Sequence, residues 1–140
     1  MPVKSPEQQG ILALHSARSL LVKQQTMLAN AIRGLATEFG LTVPLGMSKL
    51  GELMALVDAN EAVPDKARQV LTALFGQYRA LDEGIEAFEA EIVAHARHDG
   101  TARRLATIPG IGPITSSLIA ATVADIGVFQ ARGISPPGWV

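Results

Sequence analysis

The chain contains no cysteine, which excludes a disulfide framework and any thiolate metal site. Aromatic residues make up only 4% of it while 48% is hydrophobic, so the core must be built mainly from Ala, Leu, Ile and Val. That composition favours helices packed on helices. No apolar run approaches the roughly 18 residues of a membrane span, and no signal-peptide pattern opens the chain. A cytoplasmic location with no membrane partner is therefore expected. Excess charge is lacking too: the formal net charge is −1 over 140 residues, which excludes a protein that binds polyanions through bulk charge.

What charge there is lies unevenly. Met1 to Arg33 carries Lys4, Arg18, Lys23 and Arg33 against Glu7 alone, whereas Asp82, Glu83, Glu86, Glu89 and Glu91 stand together with no base among them. A polyanion would have to avoid that acidic run.

The apolar residues repeat at helical spacing. Ser5 with Pro6 makes a helix start, and Ile11, Leu14, Leu21, Leu28, Ile32, Leu35 and Phe39 then follow a 3-4 pattern whose remaining seam positions are Arg18 and Gln25. Such spacing predicts a long helix with a coiled-coil-like seam, the two polar positions weakening it but fixing its register. Gly34 marks a place to bend or fray, and Gly40 a C-cap. A loop over Leu41 to Met47 leads to a short helix, capped by Ser48 and ended by Asp58-Ala59-Asn60. Pro64 opens the next, with Leu71, Leu74, Tyr78, Leu81, Ile85, Phe88, Ile92 and His95 as its seam. Two seams of matching length joined by a short helical connector imply an antiparallel pair. His95 and His98 lie at i, i+3, but no Asp, Glu or Cys completes a ligand set; their simpler role is to complement the helix dipole. Asp99-Gly100 breaks the helix, and Thr101 is a cap for the short one that follows.

Leu105 to Thr122 is the stretch with residue types chosen for more than burial. Ile108-Pro109-Gly110-Ile111-Gly112-Pro113 joins a short helix to an Ala/Ser/Thr-rich one. Pro109 disfavours the α conformation at Ile108, both glycines tolerate positive φ, and Pro113 suits a first helical turn. The pattern predicts a helix-hairpin-helix. The main-chain N–H groups of Gly110, Ile111, Gly112, Ile114 and Thr115 can meet a phosphate oxygen there, with Ile111 anchoring the turn inward. Arg103 and Arg104, one turn earlier, add charge to such a site. The same residues also make an ordinary αα-corner. Ser116 and Ser117 have no base arranged for them in the sequence and are not expected to be nucleophiles. The second helix is expected over Ile114 to Val123, ended by Asp125-Ile126-Gly127.

Several of these segments resemble a known family. Pro2-Val3-Lys4-Ser5 with Glu7-Gln8-Gln9, then Leu12-Ala13-Leu14-His15, Ala17-Arg18, Glu38-Phe39-Gly40 and, above all, Arg103-Arg104-Leu105 with Ile108 to Thr115 are similar to the insertion-sequence transposases of the one-ten/one-sixteen/nine-oh-two family. The resemblance runs almost to Arg132. It implies a coiled-coil segment that assembles subunits and helps hold DNA and a guiding RNA, followed by the hairpin that opens a C-terminal domain. Family members place acidic Mg-binding ligands in a domain before this stretch and a catalytic serine after it. Neither set maps onto a residue here, so no catalytic residue, metal ligand or cofactor is assigned to this chain.

The tail departs from the family after Phe129, where a G-x-x-F-A-A-W segment is expected. Gly133 to Val140 can be encoded by bases that read Gly-His-Phe-Ala-Ala-Trp-Val-Gly in a neighbouring frame, so a frameshift after Arg132 is expected, checked by sequencing the coding DNA. The expected organisation is an all-α chain: a long antiparallel coiled-coil-like hairpin over 1–99, a helix-hairpin-helix over 100–132 and an aberrant tail over 133–140. The expected function is that of a transposase fragment that keeps its DNA-backbone grip and its assembly helices, as a homo-oligomer or paired with a full-length transposase. Two alternatives stay open, a stand-alone module binding DNA without sequence preference and a purely structural self-association element.

Overall fold

A computed structural model describes residues 5–41 and 50–131, with side chains described as far as Val123 in the last helix. Among the described residues all regular structure is helical: α1 (Pro6–Thr37), α2 (Leu50–Ala59), α3 (Asp65–His98), α4 (Gly100–Leu105) and α5 (Pro113–Ala131). No helix among them is long and apolar enough to cross a membrane. Ser48 and the tail from Gly133 lie outside the described residues.

The ends of α1 are set by side-chain chemistry at one end and backbone geometry at the other. Gln8 N–H donates to Ser5 Oγ at 3.1 Å while Ser5 N–H donates to Gln8 Oε1 at 3.0 Å, a reciprocal capping box that satisfies two otherwise orphaned donors. At the far end Gly40 takes φ +77°. Leu41 N–H reaches the Ala36 carbonyl at 3.1 Å and Gly40 N–H that of Thr37 at 2.9 Å, which is the Schellman closure that glycine permits. Gly34 does not interrupt the helix, because one glycine costs only about 1 kcal/mol against many neighbouring helix formers.

The chain forms two compact units, one from Met1–Ser19 with Glu86–Val140 and the other from Leu20–Ile85. In the Leu20–Ile85 unit the α1 and α3 segments run in opposite directions, since Gln25 meets Asp82 whereas Leu35 and Phe39 share a small cleft with Ala67 and Leu71. Leu50, Leu53, Met54 and Val57 of α2 are all buried and join Ile32, Leu71 and Tyr78 in one cluster. Ala29 and Ala36 are buried in the same cluster, where small side chains let the helices come close. Arg68 closes the end of α2: its guanidinium donates to the carbonyls of Val57, Asn60 and Val63. These last carbonyls have no intrahelical partner of their own, and a guanidinium meets several at once.

In the other unit Arg18 donates to Glu89 at 2.7 Å, so the two polar seam positions, Arg18 here and Gln25 in its own unit, each have an acidic partner. Both acids come from the run Asp82–Glu91. The core of this unit is assembled from Ala96, Ala102 and Ala120 with Leu105 against them. Asp99, and not Thr101, caps α4. Its backbone is extended at φ −85° and ψ 126°, and its Oδ2 accepts from Ala102 N–H at 2.9 Å; a carboxylate there also meets the positive end of the helix. The last helix runs past Asp125-Ile126-Gly127 to Ala131, since a single glycine among Ala, Val and Ile is a weak stop.

Candidate nucleic-acid interface and a histidine pair on a buried serine

Two features of the unit containing α4 and α5 bear on function. The first is the bend between these helices. Ala106 N–H and Thr107 N–H stay on α4, donating to Ala102 and Arg104 carbonyls, and Ile108 N–H donates to Leu105. Gly110 takes φ +90° while Gly112 does not need a positive φ, so one glycine of the pair turns the chain and the other leaves it bare. Nothing lies within 4 Å of where a Cβ would stand on either. Pro109, Gly110, Gly112 and Pro113 are exposed, and Ile111 is half-buried.

The donors divide unequally. Ile111 N–H donates to the Ile108 carbonyl at 3.1 Å, so this one of the five amides expected to face a phosphate is already used within the turn. The first bond of α5 is Ser116 N–H to Gly112 O at 2.9 Å. The N–H groups of Gly110, Gly112, Ile114 and Thr115 therefore take no acceptor among the described residues, as expected of a helix start whose first position is proline. Thr115 is exposed and Ile114 half-buried. Arg103 and Arg104 are both exposed in the last turn of α4. The result is a bare, donor-rich turn at the positive end of α5 preceded by two cations, an arrangement suited to an anion.

The second feature escaped the sequence reading. Ser117 is fully buried and His15 nearly so, and both His15 and His95 lie against the serine. His15 Nε2 is 3.0 Å from Ser117 Oγ and His95 Nδ1 is 2.7 Å from it. Two imidazoles thus meet Ser117, where no base was expected, and His95 does more than complement a helix end. His98 stays exposed. The sequence clue was His15 beside a seam of mostly apolar residues. This is not the geometry of a nucleophile, because Ser117 Oγ has a ring on either hand and the residue has no exposed surface from which to reach a substrate. Burial holds the His15 ring below its ordinary value, with the charges of His95 and Arg18 acting in the same direction.

A cleft of about 660 Å³ lies elsewhere in this unit, lined by Glu7, Glu91, Asp99, His95, His98 and apolar residues that include Ile11 and Leu14. Three carboxylates at its wall repel phosphate. Any nucleic acid is better served at the bend.

Over 122 residues the chain is 38% identical to the transposase for insertion sequence element IS1328 of Yersinia enterocolitica, a match covering 87% of this chain and 36% of that protein. The chain is similar to transposases. It is 38% identical over 129 residues to the transposase for insertion sequence element IS1111A of Coxiella burnetii, covering 91% of this chain and 35% of that one. A match of 39% identity over 132 residues, 94% of this chain and 34% of the other, is to a protein of Sinorhizobium fredii also named as a transposase. The chain thus spans about a third of the length of these relatives. No protein-family model matches it, and no solved structure matches it significantly.

Proposed function

We propose that this chain serves DNA transposition as the non-catalytic helical part of a transposase, gripping the sugar-phosphate backbone at the Gly110–Thr115 bend and bringing subunits together through its long helices. The observation that carries the reading is the bend itself: four N–H groups without an acceptor among the described residues, on exposed backbone, in a chain similar to transposases over about nine-tenths of its length. Gly110, Gly112, Ile114 and Thr115 supply the amides. Ile111 holds the turn, and Arg103 and Arg104 supply charge. Residues 100–132 form the gripping element and 1–99 the helical segment that carries it. Contacts of this kind position a strand without reading its bases. RNA offers the same phosphates, so a guiding RNA is a second partner of the same grip.

The test is a binding titration of the whole chain with a short duplex, and with an RNA of equal length, over a series of salt concentrations. Backbone contact weakens by roughly 0.9 log units of affinity per log unit of salt for each duplex phosphate neutralised. Arg103→Ala and Arg104→Ala are each expected to flatten that slope by about 0.9 for the duplex, while leaving sequence preference unchanged. A slope untouched by both substitutions contradicts the reading.

The assembly half of the proposal is supported by a separate observation. In the Leu20–Ile85 unit, Leu20 and Met27 on α1 are 54% and 70% exposed, one heptad apart, and a shallow cleft lined by Gln24, Met27, Leu28, Ala31, Gln77 and Leu81 carries no charge. Large apolar side chains beside an uncharged cleft are suited to another helix. Leu20→Glu with Met27→Glu is expected to reduce the mass seen by light scattering to that of one chain while leaving thermal stability nearly unchanged. A wild-type chain that is already monomeric at high concentration refutes this half.

A further inference from the structure

The His15, Ser117 and His95 cluster has no part in gripping a phosphate, yet it joins three helices of one unit. His15 comes from α1, His95 from α3 and Ser117 from the second turn of α5, immediately after the bend. We infer that this cluster is a proton-operated latch, holding the start of α5 against α1 and α3 when the rings are neutral and letting go in acid.

The hydrogen-bond chemistry is asymmetric. A serine hydroxyl has one proton to give and lone pairs to receive, so Ser117 donates to one imidazole and must accept from the other. Asp99 decides the direction. Its Oδ1 lies 3.9 Å from His95 Nε2 and its Oδ2 is occupied by Ala102 N–H, so negative charge favours the His95 proton on Nε2. His95 Nδ1 is then bare and accepts the Ser117 proton, and His15 Nε2–H donates to Ser117 Oγ. The hydrogen bonds run from His15 on α1 through Ser117 on α5 to His95 on α3, with the Asp99 carboxylate 3.9 Å from the far side of the His95 ring.

A single added proton can be accommodated: on His15 Nδ1 it leaves both bonds to Ser117 as they are, and on His95 Nδ1 it reverses the Ser117 hydroxyl once His15 carries its proton on Nδ1. A second cannot. With both rings doubly protonated, each presents an N–H to Ser117, whose own proton has lost its acceptor, and two like charges face each other across one buried oxygen. The surroundings relieve His95, through Asp99 at 3.9 Å, and oppose charge on His15, through burial and Arg18. On α1, Arg18 is itself positive and engaged with Glu89, and Glu7 lines the neighbouring cleft. On α3, Glu91 and His98 line the neighbouring cleft with Asp99. The described side chains of α5, as far as Val123, include no titratable group.

The burial of His15 sets the sign. Its value in the folded chain lies below that in the unfolded chain, so between the two the unfolded chain binds more protons and stability rises with pH. The latch is therefore intact above the ordinary histidine value of about 6.5 and weakens as pH falls from there toward the lower folded value.

Hydrogen exchange of the full chain, corrected for the intrinsic pH dependence, tests the latch without any nucleic acid, so its outcome is independent of the DNA reading. Protection of the α5 amides from Leu118 to Val123 is expected to fall by about tenfold from neutral pH to pH 5, on the order expected for a local opening. His15→Gln keeps a side-chain N–H donor but cannot titrate, and is expected to lose less than about twofold over the same range. Ser117→Ala is expected to show the low protection at both pH values. Protection in the wild-type chain that ignores pH, or an acid loss that survives in His15→Gln, overturns the inference. Should His15→Gln fail to fold, a histidine NMR titration of the wild-type chain decides: His15 is expected to titrate below the ordinary histidine value of about 6.5, and a titration at or above that value overturns the inference.

Discussion

Ile32→Ala is expected to lower the stability of the Leu20–Ile85 unit by about 2–5 kcal/mol, the range for emptying a buried isoleucine site. Ile32 has no exposed surface and sits in the cluster that includes Leu50, Leu53, Val57 and Leu71. Its removal leaves a hole bounded by three helices, none of which can close it without moving away from the others. The measurement is urea unfolding followed by far-UV circular dichroism, where the midpoint shifts and the slope does not. Met27→Ala, at a position 70% exposed on the same helix, is expected to change stability by no more than about 0.5 kcal/mol. Equal effects from the two would mean that the buried and open faces of α1 are assigned wrongly.

Gly112→Val is expected to weaken binding to duplex DNA by ten- to a hundredfold while leaving the fold in place. The position has open space around its missing Cβ and does not use positive φ, so the folded chain has room for the new side chain. A phosphate approaching the N–H groups of Gly112, Ile114 and Thr115 does not. Losing one hydrogen bond to a charged group costs about 1.5–3 kcal/mol, which is the stated change in affinity. Gly110→Val is a poorer probe, because φ there is +90° and a β-branched residue strains the backbone directly. Reduced binding in that variant would not separate a blocked phosphate from a distorted turn. Gly112 separates them, since circular dichroism and thermal melting are expected to match the wild-type chain.

Much of this organisation was legible in the residues. Ile32 of the first seam and Leu71, Tyr78, Ile85 and Ile92 of the second are buried, because apolar periodicity is a direct record of which face meets another helix. Gly40 closes α1 as its glycine implied, and Pro113 opens α5. Side chains that act over a distance were less legible. Ala29 and Ala36 pack in the core, but alanine is too common on open helix faces to be told apart by pattern. Arg68 carries no mark of its role in the sequence, because only the turn between α2 and α3 brings three carbonyls to it. His15 and Ser117 are 102 positions apart, and no spacing rule connects them. The cap of α4 was misplaced by two residues because aspartate, threonine and the intervening glycine all suit such a position.

The central claim is that the unpaired amides at the start of α5 meet a phosphate. The most direct measurement follows backbone amide resonances of the whole chain as a short DNA duplex is added at low salt. The resonances of Gly110, Gly112, Ile114 and Thr115 are expected to move together and return as salt is raised, with Ile111, whose N–H is held by Ile108, moving least. Binding that leaves those four resonances in place and shifts others would contradict the account.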